Sequence, residues 1–321
     1  MKTKQIIGIV IAAVVFLAVG LVGVSSAMKA TALSNSLLFS SEYSGEPLED
    51  YIGIIDISGT ISEGSYDYFG NPAGYAQASV LSEIELMKES DSNRAILLLI
   101  NSPGGTVYHS DEVYLALLDY KEATGRPVYA YATEQMCSGA YYIASAADKI
   151  YANRTATVGS IGVYIEMVNF KGLYDKLGIS GEYIRSADNK AMGNTFEDLT
   201  DEQRAIFQSV VDECYNQFLD VVTAGRGYDR NELIPIADGR IYTAQQSLEN
   251  GLIDKVCIYD EALSEFSESA GVEIWYDPSY SSASLTSLFS SVMNSLPKSE
   301  TEAVLSFADS FESGVPMYCV Q

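Results

Sequence analysis

Histidine is nearly absent from this sequence, whose 321 residues include one, His109. A Ser-His-Asp triad would have to use this residue. His109 comes a few positions after a glycine-rich loop, at the start of a predicted helix, where an exposed or capping role is favoured over a catalytic one. Any serine-based hydrolysis by this chain therefore needs a base other than histidine.

Cysteine is also scarce, and its spacing is typical of no metal site. Cys137, Cys214, Cys257 and Cys319 are widely separated and form no C-x-x-C or Cys/His ligand pattern. We therefore expect no metal and no cofactor. Cys214 falls on the apolar stripe of a predicted helix, which favours a place in the core over a structural disulfide.

Positive charge is the third deficit. The chain has 19 Lys and Arg residues against 43 Asp and Glu residues, a formal net charge of −24. This balance argues against nucleic acid or an anionic lipid surface as the main partner, because both repel a strongly acidic protein. We expect most of the acidity to lie on a solvated surface.

The longest apolar run lies close to the N-terminus. Residues 6–24 contain no charge, and their length is close to the roughly 20 residues that span a bilayer as a helix. Lys2 and Lys4 precede the run, so the positive-inside rule predicts a single-pass anchor with residues 1–5 in the cytoplasm. The alternative is a cleavable signal peptide, since small residues follow at 25–27. Residues 25–49 are then a linker, and the rest of the chain is extracytoplasmic.

From Tyr51 onward, short β-rich runs alternate with helical patterns. This alternation predicts an α/β fold with a buried parallel sheet and flanking helices. The segments 51–57, 95–100 and 127–132 are predicted strands, and 272–276 is a last strand candidate. No internal repeat is present, so we predict one catalytic domain over residues 50–270 and a variable C-terminal extension over 271–321.

A long amphipathic helix is predicted to begin after Thr200. Thr200 is a suitable N-cap, and acidic residues occupy the first turn. An apolar stripe at helical spacing continues through Ile206, Val210, Cys214, Phe218 and Val221. We expect this stripe to pack in the core along its whole length.

Two segments that contain candidate catalytic residues directly follow predicted strands. The strand 95–100 leads into Ser102-Pro-Gly-Gly105-Thr-Val, and the next strand leads to Met136-Cys-Ser138-Gly139-Ala-Tyr-Tyr. Ser138 therefore lies at a strand-to-helix junction. Without histidine, a lysine can serve as base when burial disfavours its ammonium form.

Two later segments complete a set: Val158-Gly-Ser160-Ile-Gly-Val and Ser186-Ala-Asp-Asn-Lys190. In order and spacing, the four segments resemble the signal peptide peptidase A family of bacterial Ser/Lys peptidases, within the Clp-protease and crotonase-like superfamily. Residues 237–243 and 251–254 extend the resemblance, which runs from about Tyr51 to Val256. It implies a Clp/crotonase-like fold, with Ser138 as nucleophile and Lys190 as general base.

The resemblance is compatible with the residues around this pair. Gly105 and Gly139 can bring backbone N–H groups close to a tetrahedral oxyanion, because glycine has no side chain to obstruct the approach. Ser160 is a candidate to orient the lysine amine, although a turn serine between glycines is almost as good an interpretation. Asp188 would raise the pKa of the amine, so we expect its carboxylate to face away from Lys190.

The expected activity is that of a membrane-anchored serine endopeptidase that cleaves remnant signal peptides or other apolar peptides after secretion. The chain has a single copy of the motifs, like the shorter family members that form a ring of protomers. The resemblance leaves two arrangements open: the serine and lysine of one site come from one chain, or they come from neighbouring protomers of the ring. Two alternatives remain open: a crotonase-like acyl-CoA enzyme, and a catalytically silent membrane scaffold of the same fold.

Overall fold

The computed structural model describes residues 46–66, 72–278 and 317–319. None of the helices in these ranges is both long and apolar enough to cross a bilayer. The predicted spanning helix, residues 6–24, lies outside the described residues, as does most of the linker that follows it.

A largely parallel sheet organises the domain. The strands are β1 Tyr51–Ser58, β2 Gly64–Tyr66, β3 Pro72–Ala76, β4 Asn93–Ser102, β5 Gly104–Thr106, β6 Val128–Cys137, β7 Lys149–Ala152, β8 Thr157–Gly159, β9 Ile241–Thr243, β10 Lys255–Val256, β11 Ile274–Tyr276 and β12 Met317–Cys319. The main sheet has the order β10-β7-β6-β4-β1-β11, with β8 beside the end of β6 and β9 antiparallel to β8. The other neighbouring strands of this sheet run parallel.

Helices connect these strands. They are α1 Gln77–Glu89, α2 Val107–Thr124, α3 Gly139–Ala144, α4 Lys171–Leu177, α5 Asp201–Arg226, α6 Arg230–Leu233, α7 Ala244–Glu249 and α8 Tyr259–Ala270. Two 3₁₀ turns, Asp188–Ala191 and Ile234–Ile236, complete the set in the described ranges. The predicted strands and the predicted long helix are present, with ends shifted by a few residues.

The apolar core occupies both faces of the sheet. Strand β4 is almost continuously apolar, and its alternate side chains enter two separate clusters, as expected for a strand covered on both sides. Leu98 packs in the larger cluster with residues of α1, α2 and α3, whereas Leu97 packs in the smaller cluster beneath α8. In the smaller cluster, Phe266 of α8 stacks on Tyr129 with ring centroids 4.6 Å apart. The predicted α/β fold with a mostly parallel sheet is confirmed.

The long helix α5 departs from the prediction in its first half. Thr200 forms the expected N-cap, in a reciprocal capping box with Gln203. The apolar stripe, however, enters the core only at its C-terminal end, where Phe218 and Val221 are buried, while Val210 is 38% exposed. The expectation that the whole stripe packs in the core is wrong, because the described segment that contacts the first half of the helix leaves Val210 exposed.

The segment before α5 is exposed as well. We call residues 165–200 the arm; it includes α4 and the 3₁₀ turn that carries Lys190. Its large apolar side chains at the surface are Phe170, Leu173, Leu177, Ile179, Tyr183 and Ile184. The arm therefore exposes several large apolar side chains, and the first half of α5 exposes Val210 as well.

Candidate active site

Ser138 lies between the end of β6 and the start of α3. Its backbone conformation is one that residues other than glycine rarely adopt. Its φ is 53° and its ψ is −118°, and the residue is 1% exposed. Within the described residues, Ser138 and Ser160 are the non-glycine residues with positive φ. Such backbone strain persists only where the surroundings enforce it, and it concentrates at functional sites.

The structure brings these two serines together. The Ser138 N–H donates to the Gly159 carbonyl at 2.7 Å, at the point where the ends of β6 and β8 pair. Ser160 directly follows β8, and its N–H donates to the Arg240 carbonyl at 2.8 Å. Ser160, for which the sequence left an orienting role and a plain turn both open, therefore lies directly beside the nucleophile candidate.

Strand β9 supports the Ser160 turn, and the sequence did not assign it this role. It pairs antiparallel with β8, and the Gly239 N–H donates to the Ile161 carbonyl at 2.9 Å. The Tyr242 ring lies so close that a Cβ on Gly159 would come within 2.9 Å of it. The motif at residues 237–243, which supported the family resemblance, is thus the strand that holds this turn.

Residues 251–254 also have a structural role. Arg226 donates to both carboxylate oxygens of Asp254, at 2.7 and 3.1 Å, and to the Gly251 carbonyl. In α3, the Tyr141 hydroxyl donates to the Leu252 carbonyl at 2.7 Å. Burial raises the pKa of Tyr141, so the hydroxyl keeps its proton for this bond. These contacts fix the short helix that follows Ser138.

The glycine loop lies beside the same strand end. Ser102 at the end of β4 pairs with Met136 of β6, and its buried hydroxyl accepts a hydrogen bond from the Gly104 N–H at 3.1 Å. Gly105 could not be another residue without local rearrangement, because a Cβ there would lie 1.8 Å from the Ile61 carbonyl oxygen. Ser102 and Ile61 are therefore positioning residues that the sequence did not single out.

The two edges of β5 have different neighbours: Ile61 lies along one edge, and β12 pairs with the other. The Thr106 N–H donates to the Ile61 carbonyl and the Ile61 N–H donates to the Gly104 carbonyl, both at 2.8 Å. Successive peptide groups of an extended strand point to opposite edges. The N–H of Gly105 is therefore directed away from Ile61, toward the other edge of β5.

A second donor comes from the start of α3. The Gly139 N–H is the first of the helix, and the first N–H groups of a helix have no acceptor within it. Helix α3 contacts β5, so the two glycine loops border a common space next to Ser138. Two backbone donors near a buried, strained serine can stabilise the oxyanion of an acyl-transfer reaction.

His109 has another role. Thr106 caps α2, accepting from the His109 N–H at 3.3 Å, and its Oγ1 lies 2.5 Å from the His109 Nδ1. The imidazole thus takes part in the cap of the helix after the glycine loop. This matches the capping role expected from the sequence.

Lys190 is exposed in the arm, and the single chain does not join it to Ser138. The backbone of its 3₁₀ turn is held to α5, where Gln203 donates to the Asp188 carbonyl at 3.4 Å. Across the described part of the chain, no hydrogen bond or ion pair engages the Lys190 side chain, including any from Asp188. The burial that a lysine base requires is therefore absent around Lys190 in the described part of the single chain.

Two protein-family models match the part of the chain that contains the candidate site residues. The model of the family described as Peptidase family S49 matches residues 120–273, and that of Clp protease matches residues 68–161. The first range includes Ser138, Ser160 and Lys190, and the second includes Gly105 and Ser138. The Clp match agrees with the mostly parallel sheet and its flanking helices.

Individual relatives extend the match. The chain is 32% identical over 238 residues to an Enterococcus faecium protein named signal peptide peptidase SppA, an alignment that spans 73% of this chain and 69% of that protein. It is 28% identical to Protease 4 of Haemophilus influenzae, across 67% of this chain and 34% of that protein. It is 27% identical to the chloroplastic serine protease SPPA of Arabidopsis thaliana, across 70% of this chain and 33% of that protein. These matches confirm the family resemblance seen in the motifs, and the chain belongs to peptidase family S49.

Proposed function

We propose that this peptidase is a serine endopeptidase with a Ser/Lys dyad. Ser138 is its nucleophile, Lys190 its general base, and the N–H groups of Gly105 and Gly139 its oxyanion hole. The observation that carries the proposal is the buried Ser138, held at a positive φ between two glycine-containing loops. A serine with only a packing role would have no need of this strained backbone.

In the proposed reaction, the Ser138 Oγ attacks the peptide carbonyl while the neutral Lys190 amine takes its proton. The two N–H groups stabilise the negative oxygen of the tetrahedral intermediate, and loss of one such donor typically costs about 2.7 to 4 kcal/mol of transition-state stabilisation. The lysine then protonates the leaving amine. It next activates water, which hydrolyses the acyl-enzyme.

A second copy of the chain supplies the missing burial of Lys190 in this proposal. The lysine is exposed in the single protomer, and the arm around it carries large apolar side chains at the surface. In the first half of the α5 stripe, Val210 is exposed as well. Packing of this surface on a neighbouring copy would desolvate the amine and bring it to the neighbour's Ser138, which favours a ring with shared sites.

The substrates and location follow from the N-terminal run and the relatives. A helix over residues 6–24 would hold the catalytic domain at the extracytoplasmic surface of the membrane that it spans, with the N-terminus in the cytoplasm. One relative is named for signal peptides. We therefore propose remnant signal peptides and other apolar peptides, left in the membrane after secretion, as the substrate class.

The dyad is tested by Ser138→Ala and Lys190→Ala in the full-length, membrane-inserted protein. Each should lower kcat for an apolar peptide by at least about a thousandfold, because the nucleophile and its base act as a unit. Lys176→Ala is the matched control, since Lys176 is another exposed arm lysine, and it should keep normal activity. Full activity of either dyad variant, or failure of a fluorophosphonate to label Ser138 in the wild type, would refute the dyad.

A further inference from the structure

A hydrogen-bonded cluster of three side chains joins α3, the helix that follows Ser138, to two neighbouring helices. The Tyr142 hydroxyl of α3 donates to Oδ1 of Asp111 in α2 at 2.6 Å. The Gln217 amide of α5 donates to the same Asp111 oxygen and to the Tyr142 hydroxyl, each at 2.9 Å. Each helix therefore contributes one member of the cluster, and none of the three takes part in the chemistry proposed above.

Tyr142 lies one helical turn from the nucleophile. Its N–H donates to the Ser138 carbonyl at 2.9 Å, the bond that closes the first turn of α3. The Tyr142 side chain is fully buried, and its ring centroid lies 5.3 Å from that of Tyr114 and 5.1 Å from that of Phe218. A ring packed on two sides cannot change rotamer freely, so the position of the hydroxyl and that of the first turn depend on each other.

This first turn carries groups that the proposed mechanism uses. Ser138 is the N-cap residue of α3, and its side chain makes no capping hydrogen bond. The Gly139 N–H is the first donor of the helix. Because α3 has only six residues, it has little stability of its own in water. Tertiary contacts must therefore hold Ser138 and the Gly139 N–H in place.

We propose that Gln217 is a positioning residue of the peptidase, which acts with Asp111 through the Tyr142 hydroxyl to fix Ser138 and the Gly139 N–H. The proposal rests on the dyad mechanism proposed above. Three hydrogen bonds connect the cluster members in a closed triangle, and the bonds of such a network strengthen one another. The Gln217 side chain is exposed, so its replacement opens no cavity in the core.

The kinetic test removes two donors of the cluster, one at a time, in the full-length protein. Tyr142→Phe keeps the ring and deletes the hydroxyl, whereas Gln217→Leu deletes the amide. Each should lower kcat about tenfold with KM nearly unchanged, because a slight misplacement of a reacting group slows the chemical step more than it weakens binding. The rate at which a fluorophosphonate labels Ser138 should fall by a similar factor. Thermal unfolding should show both variants folded at the assay temperature.

Two substitutions are matched controls. Tyr114→Phe removes the hydroxyl of the neighbouring tyrosine, which makes no hydrogen bond within the described part of the chain. Gln208→Leu removes another exposed amide of α5, one that bonds Asp212 of the same helix. Both controls should retain the wild-type kcat and labelling rate.

Two further variants distinguish a positioning role from a loss of packing. In Tyr142→Phe combined with Gln217→Leu, kcat should fall little below that of Tyr142→Phe alone, since both changes break the same cluster. Gln217→Lys restores a donor beside Asp111 and Tyr142 and should recover most of the wild-type kcat.

The outcomes separate this proposal from the dyad. Wild-type kcat and labelling rate in both Tyr142→Phe and Gln217→Leu would overturn the positioning role and leave the dyad standing. An equal loss of kcat in Gln217→Lys and Gln217→Leu would also overturn it, because the hydrogen bonds would then not be responsible. If the wild type neither hydrolyses peptide nor is labelled at Ser138, the dyad mechanism fails and the positioning role fails with it.

Discussion

Ser138 and Ser160 show how single residues reveal the site. Both adopt a positive φ that a residue with a Cβ rarely takes, and both are almost completely buried. Neither conformation is a local preference of serine. The strand ends on either side impose them, through the bonds of Ser138 to Gly159 and of Ser160 to Arg240.

Glu83 leads to a prediction about pH and stability. This half-buried carboxyl of α1 has its pKa raised to about 7, first by burial and then by the charges of Asp277 and Asp56. Because the folded-state pKa lies above the unfolded one, the ionised carboxyl destabilises the fold above pH 7. That penalty disappears as the pH falls through about 7 toward the ordinary carboxyl range.

Replacement of Glu83 by glutamine removes this charge. Glu83→Gln should stabilise the protein by about 1 to 2 kcal/mol at pH 8, after allowance for solvent screening, and by much less at pH 4.5. Thermal unfolding at the two pH values measures the difference. Glu89→Gln, at an exposed site on the same helix, should show no such pH dependence. An equal effect of Glu83→Gln at both pH values would show that its carboxyl is not perturbed.

At the scale of elements, helix α5 is divided between two roles. Its C-terminal half packs in the core through Phe218 and Val221, while its N-terminal half contacts the arm and leaves Val210 exposed. The C-terminal half of α5 packs closely against α3, the helix that follows Ser138. A Cβ on Gly225 would lie 2.0 Å from the Ser145 carbonyl oxygen at the end of α3.

This contact predicts opposite outcomes for two helical glycines. Gly225→Ala should lower stability by about 1 to 3 kcal/mol, because the added methyl group forces α5 away from α3. Gly172→Ala in α4 has open space around the new Cβ, so better helix propensity should make it neutral or slightly stabilising. Chemical denaturation of both variants measures the contrast. A Gly225→Ala protein as stable as the wild type would show that α5 can shift at no cost.

At the scale of the whole molecule, the proposed shared site predicts complementation. Ser138→Ala and Lys190→Ala should each be inactive alone, but co-assembled in equal amounts they should recover about a quarter of wild-type activity. Random assembly gives one site in about four an intact serine and an intact neighbouring lysine. The measurement is peptide hydrolysis after dissociation and joint reassembly in detergent.

A double variant supplies the control for complementation. Ser138→Ala mixed with a protein carrying both substitutions contains no intact serine and should stay inactive. Full activity of wild-type protein at a dilution where sedimentation shows monomers would contradict the shared site, since one chain would then suffice.

The sequence alone was enough to predict the α/β class, the buried strands, the Thr200 cap and the motif positions of Ser138 and Gly105. These features depend on local patterns: an apolar run of strand length, a capping residue, and glycines where a backbone must come close. The family resemblance rests on the same short segments. The membrane helix over residues 6–24 stays a prediction.

Only the tertiary structure decided the remaining features. The place of Ser160 beside Ser138, the fit of Gly105 against Ile61 and the pairing of residues 317–319 with β5 all join segments far apart in sequence. The exposure of Val210 could not be predicted from the sequence either. An apolar stripe shows that a helix face needs covering, but it does not show which segment covers it. Strand register and the covering of faces depend on distant segments, and local patterns carry no information about either.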